Sequence, residues 1–155
     1  MQPLSPLQQE SLQAHYEQKK NLLLQQFPPK KDPQQVYQVL LEMGKKLPFL
    51  EERHKIKENL VQGCQSRVYL TATLSANQCV FFRVHSDALI SSGLAALLLF
   101  IYQGETAPFI LHCPPLFIRD LGLMQSLSPG RSNGLISMYT KMKKVTINLI
   151  LNNQH

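Results

Sequence analysis

The sequence predicts an α+β fold in which a small antiparallel β-sheet packs against helices. The first observation is a pair of strand-like segments, 66–75 and 78–86, which would form a hairpin over about 66–86. The second is the segment 88–103, a predicted helix that is apolar nearly all round and so suits the centre of a core. The third is the length, 155 residues, which is typical of one domain with one core.

Two helices are predicted in the N-terminal part of the chain. Ser5 followed by Pro6 is a helix-start pattern, and the Gln-rich stretch after it predicts a helical extension over residues 1–31. Asp32 would cap a second helix with Pro33 at its first position. Apolar residues at helical spacing would form the buried face of this second helix: Val36, Leu40, Met43 and Leu47.

The hairpin is predicted from alternating apolar residues and a turn. The alternating positions of the first strand are Val68, Leu70, Ala72 and Leu74. Residues 76–77 would form the turn. Ser86 or Asp87 would cap the apolar helix that follows, and Gly104 would end it.

The C-terminal part predicts short helical turns broken by prolines, followed by a final helix that starts within 128–135. The core face of that helix would be Leu135, Met138, Met142, Val145 and Leu149. We therefore expect a single domain over 32–151 and a short tail at 152–155.

Charge and composition narrow the function classes. The net charge is +6, but the basic residues are scattered in pairs and form neither a basic tail nor an Arg-rich helix. This favours a basic surface that meets an acidic protein over a nucleic-acid partner. The longest apolar run, 94–102, is about half a membrane span. We therefore expect no membrane partner and a cytoplasmic location.

The chemistry that the chain offers is that of its thiols. It has no phosphate loop, HExxH or GxSxG motif, and three cysteines without CxxC spacing do not indicate a disulfide framework. Cys79 and Cys113 suit small packing residues. Cys64 differs, because Gly63 permits a tight turn before it and Arg67 would stabilise a thiolate. The residues alone leave a functional and a structural Cys64 equally open.

Three motifs resemble one family. They are "GCQSRVYL" at 63–70, "HSDALISSGLAALLL" at 85–99 and "SPGRSNGL" at 128–135. Together, over roughly 33–144, they resemble the SufE-like sulfur-acceptor family of iron–sulfur cluster biogenesis. The resemblance implies a fold related to the cluster-scaffold proteins. Tyr69 stands where the family often has tryptophan.

The resemblance also implies a function. Cys64 would take sulfur as a persulfide from a PLP-dependent cysteine desulfurase, stimulate that enzyme, and pass the sulfur to an iron–sulfur cluster scaffold. Gly63, Arg67, the turn acid Asp87 and the motif arginine Arg131 would support the loop or contact the partner. We expect no permanently bound cofactor, since PLP belongs to the desulfurase, and a sulfur-transfer protein rather than a stand-alone enzyme.

Two alternatives remain open at this point. One is an iron–sulfur scaffold or metal-binding protein, in which His112 and Cys113 would join Cys64, Cys79 or Asp87 as ligands. The other is an adaptor without chemistry of its own that docks on the desulfurase and tunes it. The Ser91–Gly93 stretch is predicted to be a close-packing site of the apolar helix rather than a nucleophile.

Overall fold

The computed structural model describes residues 2–29, 32–123 and 127–153. The helices are α1 Pro6–Leu24, α2 Pro33–Gly44, α3 Leu89–Tyr102, α4 Ala107–His112, α5 Phe117–Asp120 and α6 Pro129–Asn153. The strands are β1 Val68–Leu74, β2 Cys79–Ser86 and β3 Glu105–Thr106. Two 3₁₀ turns, Glu52–His54 and Lys57–Asn59, lie in the connector before β1. The predicted α+β architecture is confirmed.

The sheet has the order β1-β2-β3 with antiparallel neighbours, which confirms the predicted hairpin. Val68 lies opposite Ser86 at the open end of the hairpin. At the turn, Gln78 adopts a left-handed φ of 64° and its N–H donates to the Ser75 carbonyl at 3.0 Å. The two-residue strand β3 was not predicted, because a strand this short gives no alternating pattern.

Helix α3 is the centre of the core, as its composition predicts. Gly93, Leu94, Ala95, Ala96, Leu97, Leu98, Leu99, Ile101 and Tyr102 are buried in it. Helix α2 crosses α3 at very short range: a Cβ on Gly93 would lie 2.5 Å from the carbonyl oxygen of Leu40, and one on Gly44 would lie 2.8 Å from the Gly93 nitrogen. The prediction of a close-packing site at Gly93 is therefore confirmed.

The predicted capping of α3 is wrong. The residue before its first turn is Ala88, which makes no side-chain cap hydrogen bond. The Ser86 hydroxyl accepts the Ala88 N–H at 3.2 Å, and the Asp87 carboxylate accepts the Arg67 N–H at 3.0 Å. Both polar side chains shape the strand-to-helix turn and are thereby unavailable to the helix end.

The N-terminal helix α1 packs into the same hydrophobic core as the rest of the chain. It begins with a capping box between Ser5 and Gln8, as the Ser-Pro pattern predicts. Its Tyr16 hydroxyl accepts the Phe117 N–H at 2.9 Å, and burial raises the pKa of Tyr16 to about 12. Lys19 donates to the Glu105 carboxylate at 2.7 Å. The division into an extension at 1–31 and a domain at 32–151 stays a prediction.

The remaining helices match their predicted starts. Asp32 caps α2 by accepting the Gln34 N–H at 3.2 Å, and α6 begins at Pro129. Leu135, Met138 and Met142 are buried on the predicted face of α6. Parts of the predicted extension (residues 1 and 30–31), of the predicted turns (124–126) and of the predicted tail (154–155) lie outside the described residues. Within the described ranges, no helix is long and apolar enough to cross a membrane.

The α2–α3 crossing gives a stability prediction. Gly93→Ala should lower the free energy of unfolding by about 1–3 kcal/mol, because the new methyl group meets backbone atoms of α2 that cannot move aside. The measurement is urea denaturation followed by circular dichroism.

Gly134→Ala is the matched control, since a Cβ there would meet Cys64 Sγ at an ordinary 3.7 Å. It should leave stability unchanged or raise it by up to about 1 kcal/mol through helix propensity. A Gly93→Ala protein as stable as the parent would show that the two helices are not in close contact.

Candidate functional site

The three sequence motifs, although far apart in the chain, meet around one cavity of about 520 Å³. The first motif supplies the loop before β1, the second the first turns of α3, and the third the start of α6. The lining residues are Cys64, Gln65, Ser66, Ala88, Leu89, Ile90, Ser91, Leu94, Gly130, Arg131, Gly134 and Met138. Of the predicted site residues, Cys64 and Arg131 line this cavity directly.

The loop that carries Cys64 lies on a row of small residues of α6. Gly63 has a φ of 90°, and a Cβ on it would lie 2.6 Å from the Ser137 hydroxyl oxygen. A Cβ on Gly130 would overlap the side-chain amide of Gln65. Positions 130, 134 and 137 are four and three residues apart and so share one face of the helix. The loop can approach this closely only because that face has almost no side chains.

Cys64 itself is half-buried, and its Sγ donates to the Gly134 carbonyl oxygen at 3.5 Å. Burial raises the pKa of the Cys64 thiol above its ordinary value. The structure therefore holds Cys64 as a neutral thiol against α6. A thiolate would form more readily if the loop moved the sulfur into water.

Arg67 does not share the cavity with the thiol. Its exposed side chain lines a separate cavity of about 280 Å³, together with Glu52, Lys55, Tyr69, His85 and Asp87. Residues 65 and 66 form a bend between Cys64 and Arg67, and the two side chains line different cavities. This separation accounts for the absence of the thiolate stabilisation that we expected from Arg67.

Asp87 connects the two ends of the hairpin. Its carboxylate accepts the Arg67 N–H at 3.0 Å, and its own N–H donates to the Arg67 carbonyl oxygen at 3.3 Å. This pair of bonds fixes the backbone three residues after Cys64. Asp87 therefore anchors the base of the loop, and its side chain is exposed rather than directed at the sulfur.

Arg131 lies exposed where the cavity meets solvent, at the start of α6. Its N–H donates to the Ser128 hydroxyl at 3.3 Å, which shapes the helix start. Its guanidinium lies 6.0 Å from the centre of the Tyr37 ring and donates to the Tyr37 hydroxyl at 3.5 Å. The positive charge is thus held on the surface beside the Cys64 loop.

Sequence reasoning missed two residues of the cavity, Ser66 and Ser91. Their hydroxyl oxygens are 2.6 Å apart, which makes a hydrogen bond between the loop and the first turn of α3. Ser91 was assigned to helix packing along with Gly93. The signal that would have separated them is helical spacing, because residues two apart do not share a face.

The other two thiols lie away from this cavity. Cys79 is at the turn end of β2 opposite Thr106, about 20 Å along the strand from the open end of the hairpin. Cys113 is buried beneath α1, with Sγ 3.8 Å from the Leu12 carbonyl oxygen, and burial raises its pKa to about 11. Across the described ranges, no group of three or more His, Cys, Asp or Glu side chains is arranged to hold a metal.

Comparison with known proteins identifies the family. The family model for SufE, described as an Fe-S metabolism associated domain, matches residues 21–146. A SufE-like protein 1 of Arabidopsis thaliana, whose name describes it as chloroplastic/mitochondrial, is 39% identical over 123 residues. That match covers 79% of this chain, but the chain spans only 33% of that relative. An uncharacterized SufE-like protein of Synechocystis is 39% identical over 125 residues, covering 81% of this chain and 78% of the relative.

The chain belongs to the SufE family, and its role accordingly lies in iron–sulfur metabolism. A solved structure shares the fold: the solution structure of a hypothetical protein from Thermus thermophilus. It has a TM-score of 0.70 and 24% identity, covering 88% of this chain and 96% of that one. The family resemblance seen in the three motifs is thereby confirmed.

The burial of Cys64 predicts its reactivity. Because its pKa is raised, less thiolate is present at neutral pH, and alkylation by iodoacetamide should have a pH midpoint above that of an ordinary cysteine. The measurement is the pH profile of Cys64 alkylation in the folded protein, read by peptide mass mapping.

The same chain in concentrated urea is the control, and its Cys64 should titrate at the ordinary value. A folded-state midpoint at or below the unfolded one would show that Cys64 is a pre-activated thiolate.

Proposed function

We propose that the protein accepts sulfur from a PLP-dependent cysteine desulfurase onto Cys64 and passes it to an iron–sulfur cluster scaffold. One observation carries the proposal: Cys64 stands on a loop that follows a glycine turn and faces a cavity built from all three family motifs. Family membership supports the same reading.

The proposed transfer needs no acid–base pair within this chain. The Cys64 thiolate attacks the outer sulfur of a persulfide on the desulfurase. A bond forms between Cys64 Sγ and that sulfur, while the sulfur–sulfur bond of the donor breaks and its electron pair remains on the donor's cysteine as a thiolate. No external oxidant or reductant takes part, which fits a chain without recognisable catalytic dyads.

The resting geometry fits a carrier that alternates between protection and delivery. In the cavity the sulfur is half-buried and neutral, which slows oxidation, because oxidants attack exposed thiolates. Delivery to a partner requires the loop to leave α6. The loop is held by small-residue contacts on α6, by one weak sulfur hydrogen bond and by the Ser66–Ser91 hydrogen bond, and we propose that the binding energy of the partner opens it.

The rim of the cavity suits protein docking. Leu89 is 71% exposed at the start of α3, and Arg131 places a positive charge at the start of α6. An exposed apolar side chain next to an arginine is a frequent composition of protein interfaces. The net charge of +6 favours an acidic partner surface. In the proposed function the protein has no permanently bound cofactor. Its cytoplasmic location stays a prediction.

Replacement of Cys64 by serine should abolish sulfur uptake. After incubation with a desulfurase and cysteine, the intact parent protein should gain the mass of one sulfur, whereas Cys64→Ser should gain none. Folding should persist, because the two side chains are nearly the same size. The added sulfur should be released by dithiothreitol, since it is held by a sulfur–sulfur bond.

Cys79→Ala and Cys113→Ala are the controls and should still accept sulfur. Because Cys113 is buried, Cys113→Ala should lower the free energy of unfolding by about 1 kcal/mol. Sulfur found on Cys79 or Cys113 but never on Cys64 would contradict the mechanism. A fully active Cys64→Ser protein would favour the adaptor, and a stably coloured protein after anaerobic addition of iron and sulfide would favour the scaffold.

Arg131→Ala should weaken activation of the desulfurase more than it slows transfer at saturating partner. The reason is that its charge lies on the docking surface and its bonds are to Tyr37 rather than to the thiol. The measurement is desulfurase activity against concentration of the variant. Arg119→Ala, which removes an exposed arginine from α5, is the matched control. If Arg131→Ala bound the desulfurase with normal affinity but no longer accepted sulfur, Arg131 would instead have a chemical role.

A further inference from the structure

The cavity is much larger than the thiol that lines it. It measures about 520 Å³, whereas a water molecule in the liquid occupies about 30 Å³. A sulfur atom added to Cys64 would stand about 2.05 Å beyond Sγ. The cavity therefore has room for the additional sulfur of a persulfide without movement of the loop.

A persulfide has different polar requirements from a thiol. Its terminal sulfur is more acidic than a thiol because a second sulfur is attached, so it is an anion at neutral pH. An anion in a largely apolar cavity is costly unless hydrogen-bond donors face it. The Gly134 carbonyl, which accepts from the thiol at 3.5 Å, is then an unfavourable neighbour, since Sγ has no proton left to donate.

Ser66 and Ser91 are the half-buried side-chain hydroxyl donors of the cavity lining. Gln65 and Arg131, the other polar side chains of the lining, are exposed, and Arg131 already donates to Tyr37. The two serine hydroxyls are 2.6 Å apart and half-buried. Two hydroxyls carry two protons and one of these makes the mutual bond, so the second proton is free to point at another acceptor.

We propose that the Ser66–Ser91 hydroxyl pair binds the terminal sulfur of the Cys64 persulfide and keeps it in the cavity until delivery. The two serines are positioning residues, and the proposal deepens the proposed function, on which it rests. Ser91 lies in the first turn of α3, whose cap Ala88 makes no side-chain bond, so the positive end of the helix adds to the same stabilisation.

The test uses a persulfide made chemically, so that it does not depend on any desulfurase. The full chain is treated with inorganic polysulfide, and sulfur on Cys64 is verified by peptide mapping. Two properties of that persulfide are then measured: the pH midpoint of its alkylation by iodoacetamide, and its rate of sulfur loss to dithiothreitol. The proteins compared are the parent, Ser66→Ala, Ser91→Ala, Ser91→Thr and, as a matched control, Ser92→Ala from the same helix but outside the cavity lining.

We expect each cavity variant to raise the pH midpoint of persulfide alkylation by about one unit and to speed sulfur loss about tenfold, as for a lost hydrogen bond to a charged group. Ser91→Thr should restore parent values because it keeps the hydroxyl, and Ser92→Ala should match the parent. A purely structural role of the serines would change the melting temperature but not the pH midpoint.

The inference would be overturned if Ser66→Ala and Ser91→Ala both had the parent's pH midpoint of persulfide alkylation and the parent's rate of sulfur loss. The proposed uptake of sulfur from a desulfurase onto Cys64 would not be affected by that result. The serine variants could change the persulfide made with polysulfide although the parent protein takes no sulfur from a desulfurase. That result would support the inference and would reject the desulfurase as the source of the sulfur. If Ser66→Ala does not fold, the difference between Ser91→Ala and Ser91→Thr decides the outcome.

Discussion

The contact between the Cys64 loop and the face of α6 formed by Gly130, Gly134 and Ser137 is the constraint on which the site depends. It requires a backbone that turns at a positive φ at Gly63 and a helix face nearly free of side chains. These two requirements are met by residues about 70 positions apart in the chain. Because of this contact, the thiol faces inward, a cavity forms behind it, and the motifs at the starts of α3 and α6 become its walls.

Burial and reactivity are opposed at this site. The contact that shields Cys64 also removes water from it, and desolvation raises its pKa. A stand-alone thiol enzyme would place a cation or a helix N-terminus against the sulfur to lower that pKa. Here Arg67 faces another cavity and Arg131 lies against Tyr37. The arrangement therefore fits the proposed function, in which the sulfur is held in one position and reacts in another, with the partner supplying the environment for the chemistry.

The rest of the fold serves as a rigid support for this loop. Helices α2 and α3 cross at Gly44 and Gly93 with backbone in contact, and Asp87 joins the two strand ends beneath the loop. Helix α1, of which residues 6–20 precede the family match, closes the opposite side of the core and covers Cys113. Its ion pair between Lys19 and Glu105 ties it to β3. Cys113 is thus covered by a packed helix, whereas Cys64 stands on a loop that lies against α6.

The longer helices, the hairpin and the candidate cysteine could be predicted from the sequence, whereas the short strand β3 could not. Helix starts, the hairpin and the apolar core helix follow from neighbouring residues, because periodicity and capping are local, and the Gly63-Cys64 pair marks a turn for the same reason. The surroundings of the sulfur, in contrast, follow from how the chain packs. Arg67 faces away from it, Ser91 joins Ser66 in its cavity, and Asp87 binds backbone instead of capping α3. These outcomes depend on which segments meet after folding, and the residues that meet at Cys64 come from three regions of the chain that no local pattern connects.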